Sequence, residues 1–269
     1  MSSASAKAIP RFETPIIETH CHLDYLEEPA LDNVLSRATQ AGIERIVTIA
    51  VSPDNLQRVL AIADTYPQVW CTQGIHPHEA SQWNPQVSAH IREGCTHGRV
   101  VAIGEIGLDY FYEHSDRAAQ ARAFEAQLQL AAELDLPVVI HTRDADSDTR
   151  AILENHCRSL RRRGVIHSFT SSLALAEFCL QEGFMLGFNG ITTFRNADNV
   201  RAVVAATPRE RLVLETDAPY LTPTPFRGKP NEPQYLPLIA EKVAEVLGMD
   251  TEALLQQAYS NSQTLFFTP

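Results

Sequence analysis

The chain has 269 residues, with 22 Lys and Arg against 33 Asp and Glu, a formal charge of −11 and 44% hydrophobic residues. This excludes a disordered or fibrous chain and a protein that coats nucleic acid by overall positive charge, but not an enzyme that holds one phosphate in a pocket. No apolar run approaches the roughly 20 residues that a membrane span needs. Five scattered cysteines without a C-x-x-C pair point to a reducing, cytoplasmic setting with no disulfide framework.

Residues 1–12 read as a small, polar, flexible tail, and 13–269 as a single domain. Short β-branched runs at 16–20, 45–51, 69–75, 100–104, 137–141, 164–167, 184–189 and 212–216 predict strands. Between and after them, segments of helical period at 30–41, 53–66, 85–97, 115–134, 145–162, 173–182, 196–207, 234–247 and 250–266 predict helices. Eight such units in about 250 residues without a separating linker predict a closed (β/α)8 TIM-type barrel of α/β class. An open doubly wound sheet is the alternative, but no G-x-G-x-x-G or Walker loop follows any strand. A loop at 218–233, with Pro219, Pro223, Pro225, Pro230 and Pro233, follows the eighth strand, where barrels place substrate contacts.

Metal-type ligands fall at strand ends. His20 and His22 close the first strand, Glu105 follows the fourth, His141 ends the fifth, His167 ends the sixth and Asp217 follows the eighth. Barrel active sites form at that face, so these residues converge on one pocket. His20 and His22, two apart on an extended segment, point to the same side. Six ligands exceed one tetrahedral catalytic site and fit two divalent ions that share a ligand. Related barrels often bridge their ions with a carboxylated lysine, but the three lysines, Lys7, Lys229 and Lys242, stand at no strand end. The bridging role therefore falls to Glu105.

The segments His20-Cys21-His22-Leu23-Asp24, Gly74-Ile75-His76-Pro77-His78, Gly104-Glu105-Ile106-Gly107-Leu108-Asp109-Tyr110, His141-Thr142-Arg143-Asp144-Ala145, His167-Ser168-Phe169-Thr170 and Glu215-Thr216-Asp217-Ala218-Pro219-Tyr220-Leu221 resemble the TatD family of metal-dependent deoxyribonucleases. That family belongs to the amidohydrolase superfamily. The resemblance implies that His20, His22, Glu105 and Asp217 hold one ion and that Glu105, His141 and His167 hold the second, with Mg²⁺ in use. It also marks 190–196 and 227–233 as segments near the substrate. Two positions depart from the family's pattern: Glu18 stands where Asp is usual, and Ser168 where Cys is frequent.

The expected reaction is phosphodiester hydrolysis, trimming single-stranded DNA from its 3′ end, with no membrane and no obligate protein partner. The ions acidify the attacking water and neutralise charge on the phosphoryl oxygens, and Asp217 is the candidate general base. Mixed imidazole and carboxylate ligation also suits Mn²⁺, Co²⁺ or Zn²⁺. The alternative is an amidohydrolase opening a small cyclic amide or ester with the same ions. A phosphodiesterase needs positive rim groups, and Arg143, Arg195, Arg227 and Lys229 are the candidates. His76 and His78 face the same rim, as substrate contacts or as loop structure. Arg143 has two readings, a phosphate clamp or a partner for a rim carboxylate. Arg161-Arg162-Arg163 is expected to close a helix, and Cys21 to turn away from the ions into the barrel wall.

Overall fold

A computed structural model describes residues 8–26 and 28–268. Eight strands form one sheet in sequence order, each parallel to the next: β1 (Ile16–Cys21), β2 (Ile43–Thr48), β3 (Val69–Gln73), β4 (Val100–Asp109), β5 (Val138–Arg143), β6 (Gly164–Ile166), β7 (Met185–Phe188) and β8 (Leu212–Leu214). The helices are α1 (Glu28–Gln40), α2 (Leu56–Thr65), α3 (Pro85–Gly94), α4 (Arg117–Leu134), α5 (Asp146–His156), α6 (Leu173–Gln181), α7 (Asp198–Ala206), α8 (Leu236–Leu247) and α9 (Thr251–Ser262). This is the expected TIM-type barrel, nearly closed. No helix among the described residues is long and apolar enough to cross a membrane. Of the expected tail, residues 1–7 lie outside the described residues, while Phe12 packs on the core.

Alternate strand residues separate into two apolar clusters. Ile46, Val138, Ile140, Ile166, Leu186 and Leu214 pack outward with the helices, whereas Val47, Val101, Val139, Val165, Met185 and Val213 pack with Leu265 and Phe266 of the C-terminal turn. The strand period is two, so the next positions on the inner face above Val139, Val165 and Val213 are His141, His167 and Glu215. A barrel interior filled by valines at one end thus becomes a polar floor at the other.

The seam between β1 and β8 closes at its carboxyl end. Asp217 N donates to His20 O at 2.9 Å, and His22 N donates to Ala218 O at 2.7 Å. Below them the Glu18 carboxylate, fully buried, accepts from Thr216 N at 2.9 Å and from His20 N at 3.1 Å. A side chain here replaces a neighbouring strand's carbonyl, and burial pushes its pKa up to about 8.

Several boundaries differ from expectation. β4 continues to Asp109, so Glu105 lies inside the strand rather than after it, because Ile106 and Leu108 remain on the outward apolar face. β8 stops at Leu214 rather than residue 216, since Thr216 N turns to Glu18 and Asp217 enters the left-handed region at φ 58°. α5 ends at His156, six residues before the expected 162. The arginine run therefore does not close a helix. Arg161 pairs with Asp135, Arg162 donates to Thr268 O at 2.6 Å, and Arg163 donates to Glu182 O at 2.6 Å.

Candidate metal centre

Four imidazoles and two carboxylates meet at the carboxyl end of the barrel. His20 Nε2 lies 3.4 Å from Glu105 Oε2 and 3.7 Å from Asp217 Oδ1, and His22 Nε2 lies 3.4 Å from the same Asp217 oxygen. The second oxygen of Glu105, Oε1, faces His167 Nε2 at 2.8 Å and His141 Nδ1 at 3.0 Å. His76 Nε2 joins it at 3.4 Å. Three triads thus have donor atoms within 4.8 Å of one another: His20, His22 and Asp217; His20, Glu105 and His167; and His76, Glu105 and His141.

These donors fit divalent cations. Both ring nitrogens of His20 and Nδ1 of His22 are buried without a hydrogen-bond partner in the chain. Burying an unpartnered polar nitrogen costs about 1–3 kcal/mol, a cost that coordination removes for a nitrogen facing an ion. Nitrogen and carboxylate oxygen donors in this mixture are those of catalytic transition-metal and zinc sites.

Charge is arranged to match. Burial opposes ionisation of Glu105, yet the imidazoles of His167 and His76 outweigh it and hold its carboxyl well below the usual range. Asp217 is likewise held low against its burial by His22 and His20. Burial lowers the His20 pKa and brings that of His76 to about 4. His167 and His141 go the other way, because their carboxylate neighbours overcome the same burial.

Local sequence explains how the groups are held. His141 Nε2 meets Asp109 Oδ2 at 3.0 Å, and His167 Nδ1 lies 3.4 Å from Glu215 Oε1. Asp109 also meets His78 Nε2 at 3.1 Å and accepts from Phe111 N and Tyr112 N at 3.0 Å. Glu215 accepts from Ser168 N at 2.6 Å and occupies space left by Gly187, where a Cβ would stand 2.4 Å from its Oε2. Gly107, at φ 136°, lets β4 approach β5 where a Cβ would meet His141 O at 2.0 Å. Two buried glutamines of α4, seven residues apart, clamp strand ends. Gln127 exchanges bonds of 2.8 and 3.1 Å with the Ile75 backbone, beside His76, and Gln120 exchanges bonds of 2.8 and 3.0 Å with that of Asp109.

The six expected ligands are therefore brought together, with His76 alongside them against Glu105 and also lining the cavity above. Cys21 is fully buried, its Sγ 3.9 Å from Val47 O and away from the imidazoles. A cavity of about 710 Å³ opens above the cluster, lined by His76, His78, Arg143, Tyr25, Tyr112 and Tyr220 among others. Arg143 has no carboxylate partner among the described residues and lies 3.9 Å over the Phe111 ring. Arg195, Arg227 and Lys229 are exposed and do not line this cavity, and Arg227 lies 3.8 Å over the Phe194 ring. Sequence reasoning passed over Asp109 and Glu215 as partners of the imidazoles. The available signal was the strand period, since Asp109 shares a face with Glu105 and Glu215 follows the inward-facing Val213 by two residues.

A barrel that gathers imidazoles and carboxylates at its strand ends in this way belongs among the metal-dependent hydrolases. A family model described as TatD related DNase matches residues 17–267, and the chain belongs to the TatD family. It is 37% identical over 252 residues to YabD of Bacillus subtilis (strain 168), an uncharacterized metal-dependent hydrolase, covering 93% of this chain and 98% of that one. It is 38% identical over 240 residues to the 3′-5′ ssDNA/RNA exonuclease TatD of Salmonella typhimurium, covering 87% and 92%. Among solved structures, the TatD homologue YjjV of Escherichia coli K12 superimposes with a TM-score of 0.89 at 33% identity, covering 94% of this chain and 98% of that one.

Proposed function

We propose that the chain is a nuclease that hydrolyses phosphodiester bonds of single-stranded DNA from the 3′ end, using two divalent ions. One observation carries this reading: the two oxygens of Glu105 face different imidazoles, Oε2 toward His20 and Oε1 toward His141 and His167. A carboxylate so placed is suited to share two ions, one held also by His20, His22 and Asp217, the other by His141 and His167. The relatives named as ssDNA/RNA exonucleases and the open cavity above the cluster support a polymeric phosphodiester as substrate. When bound, the ions supply Lewis acidity, depressing the pKa of water and neutralising charge that builds on the phosphoryl oxygens.

The chain's own residues then have distinct tasks. Asp217, kept ionised by its histidine neighbours, would take the proton of the attacking water. Asp109 and Glu215 hold the rings of His141 and His167 in one tautomer. Arg143 is the positive group of the cavity wall available to a phosphate. The five free cysteines fit a reducing, cytoplasmic setting.

The test is metal-stripped protein reconstituted with Mg²⁺, Mn²⁺, Co²⁺ or Zn²⁺ and incubated with single-stranded DNA, RNA and a dihydropyrimidine. A 5′-labelled DNA strand should shorten progressively, and a 3′-labelled one should release its label at once. Opening of the cyclic amide with DNA left intact under every metal would overturn the assignment in favour of an amidohydrolase.

A further inference from the structure

The large apolar side chains left exposed among the described residues are Tyr25, Phe111, Tyr112, Leu173 and Tyr220, at 44–55% exposure. Single exposed apolar residues are ordinary on any surface. These come from four separate segments, following β1, β4, β6 and β8, yet all belong to the carboxyl-end rim. Tyr25, Tyr112 and Tyr220 line the cavity above the metal cluster. Leu173 lines an adjoining cavity of about 670 Å³ that shares Arg143 and Thr170 with the first.

The aromatic rings form two groups. Tyr25 lies nearly parallel to the His22 imidazole, 14° at 5.1 Å, and meets Tyr220 edge-on at 6.4 Å. Phe111 and Tyr112 meet edge-on at 4.8 Å, with the Arg143 guanidinium 3.9 Å over the first and 4.9 Å over the second. The first group touches His22 of the metal cluster, and the second is tied through backbone N–H bonds to Asp109, which backs His141. Each group is therefore anchored to a different side of the cluster.

A net charge of −11 does not draw in a polynucleotide by overall positive charge, and Arg143 is the one Arg or Lys among the described residues lining the cavity, so further affinity has to come from other contacts. Exposed aromatic rings beside a guanidinium offer base stacking, which any base can make and which is most open to a base not already stacked within a duplex. We infer that Tyr25 with Tyr220, and Phe111 with Tyr112 and Arg143, form two stacking platforms that receive unpaired nucleobases on either side of the scissile phosphodiester, and so select single-stranded ends. This rests on the phosphodiesterase reading above.

The experiment compares kcat/KM on two short single strands, one natural and one with tetrahydrofuran abasic residues flanking the terminal phosphodiester, for wild type and the pairs Tyr25→Ala/Tyr220→Ala and Phe111→Ala/Tyr112→Ala. Wild type should prefer the natural strand, and each pair should lose about 5- to 100-fold on it, mostly in KM, with little change on the abasic strand. The Leu counterparts of both pairs keep apolar bulk without a ring and should lose activity in the same pattern while unfolding at the wild-type temperature. Equal losses on both strands, no loss on either, or a wild type indifferent to the bases would overturn the platforms while leaving the nuclease reading intact. A wild type that cleaves neither strand with any of the four metals overturns the nuclease reading, and the platforms with it.

Discussion

The two halves of the histidine cluster are held by different means. His141 and His167 each have a carboxylate behind the ring, Asp109 at 3.0 Å and Glu215 at 3.4 Å, and both carboxylates are fixed by backbone N–H groups. His20 and His22 have no carboxylate behind the ring, although His167 Nδ1 shares with theirs the lack of a hydrogen-bond partner in the chain, its 3.4 Å approach to Glu215 being an ion-pair contact only. They are positioned instead by the main chain, through the two seam bonds that join His20 and His22 to Asp217 and Ala218. A carboxylate behind an imidazole fixes its tautomer and raises its basicity, whereas a main-chain seam fixes only where the residue stands. One half is thus oriented electrostatically and the other by barrel closure, and Glu105 faces both.

Glu105→Ala should have the largest effect, because it removes the group common to both halves. Metal content should fall in each, and elemental analysis finding two ions per chain in the variant would contradict the bridging role. Asp109→Asn and Glu215→Gln probe the oriented half alone. Each should weaken metal binding by about 10- to 100-fold at one ion, read by titration against a chelator, with the other ion retained. Gly187→Ala reaches the same half indirectly, since the new Cβ would stand 2.4 Å from Glu215 Oε2 and 3.2 Å from His167 Cα. It should destabilise the protein by about 1–3 kcal/mol by denaturant titration and also lower metal affinity, and a variant matching wild type in both would show that Glu215 has room to move. The smallest effect belongs to Glu18→Asp on the seam side. A carboxylate one methylene shorter retreats from Thr216 N and His20 N, which should cost about 1 kcal/mol with both ions kept, while metal loss exceeding that of the Glu215 variant would reverse the comparison.

Much of the site was legible because ligands and strands share a period. His141 and His167 follow inward-facing valines by two residues, and His20 and His22 are two apart. Glu105 was expected just after the strand, although Ile106 and Leu108 carry the outward apolar alternation through to Asp109. The arginine run was misread because its partners, Asp135, Thr268 and Glu182, are remote in sequence or beyond the element's end. That His76 also reaches Glu105 had no local sign, because the Ile75 backbone beside it is held by Gln127 of the distant α4.

By itself the sequence determined the alternating strand and helix plan, the face on which the chemistry sits and the types of group gathered there, because hydrophobic period and residue chemistry are local properties. Only the tertiary structure decided which oxygen of Glu105 faces which imidazole, which rings have a carboxylate behind them, and that five exposed apolar side chains meet on one rim. Those relations join different strands and loops, and their distances depend on how the sheet curls and closes, which no single segment specifies.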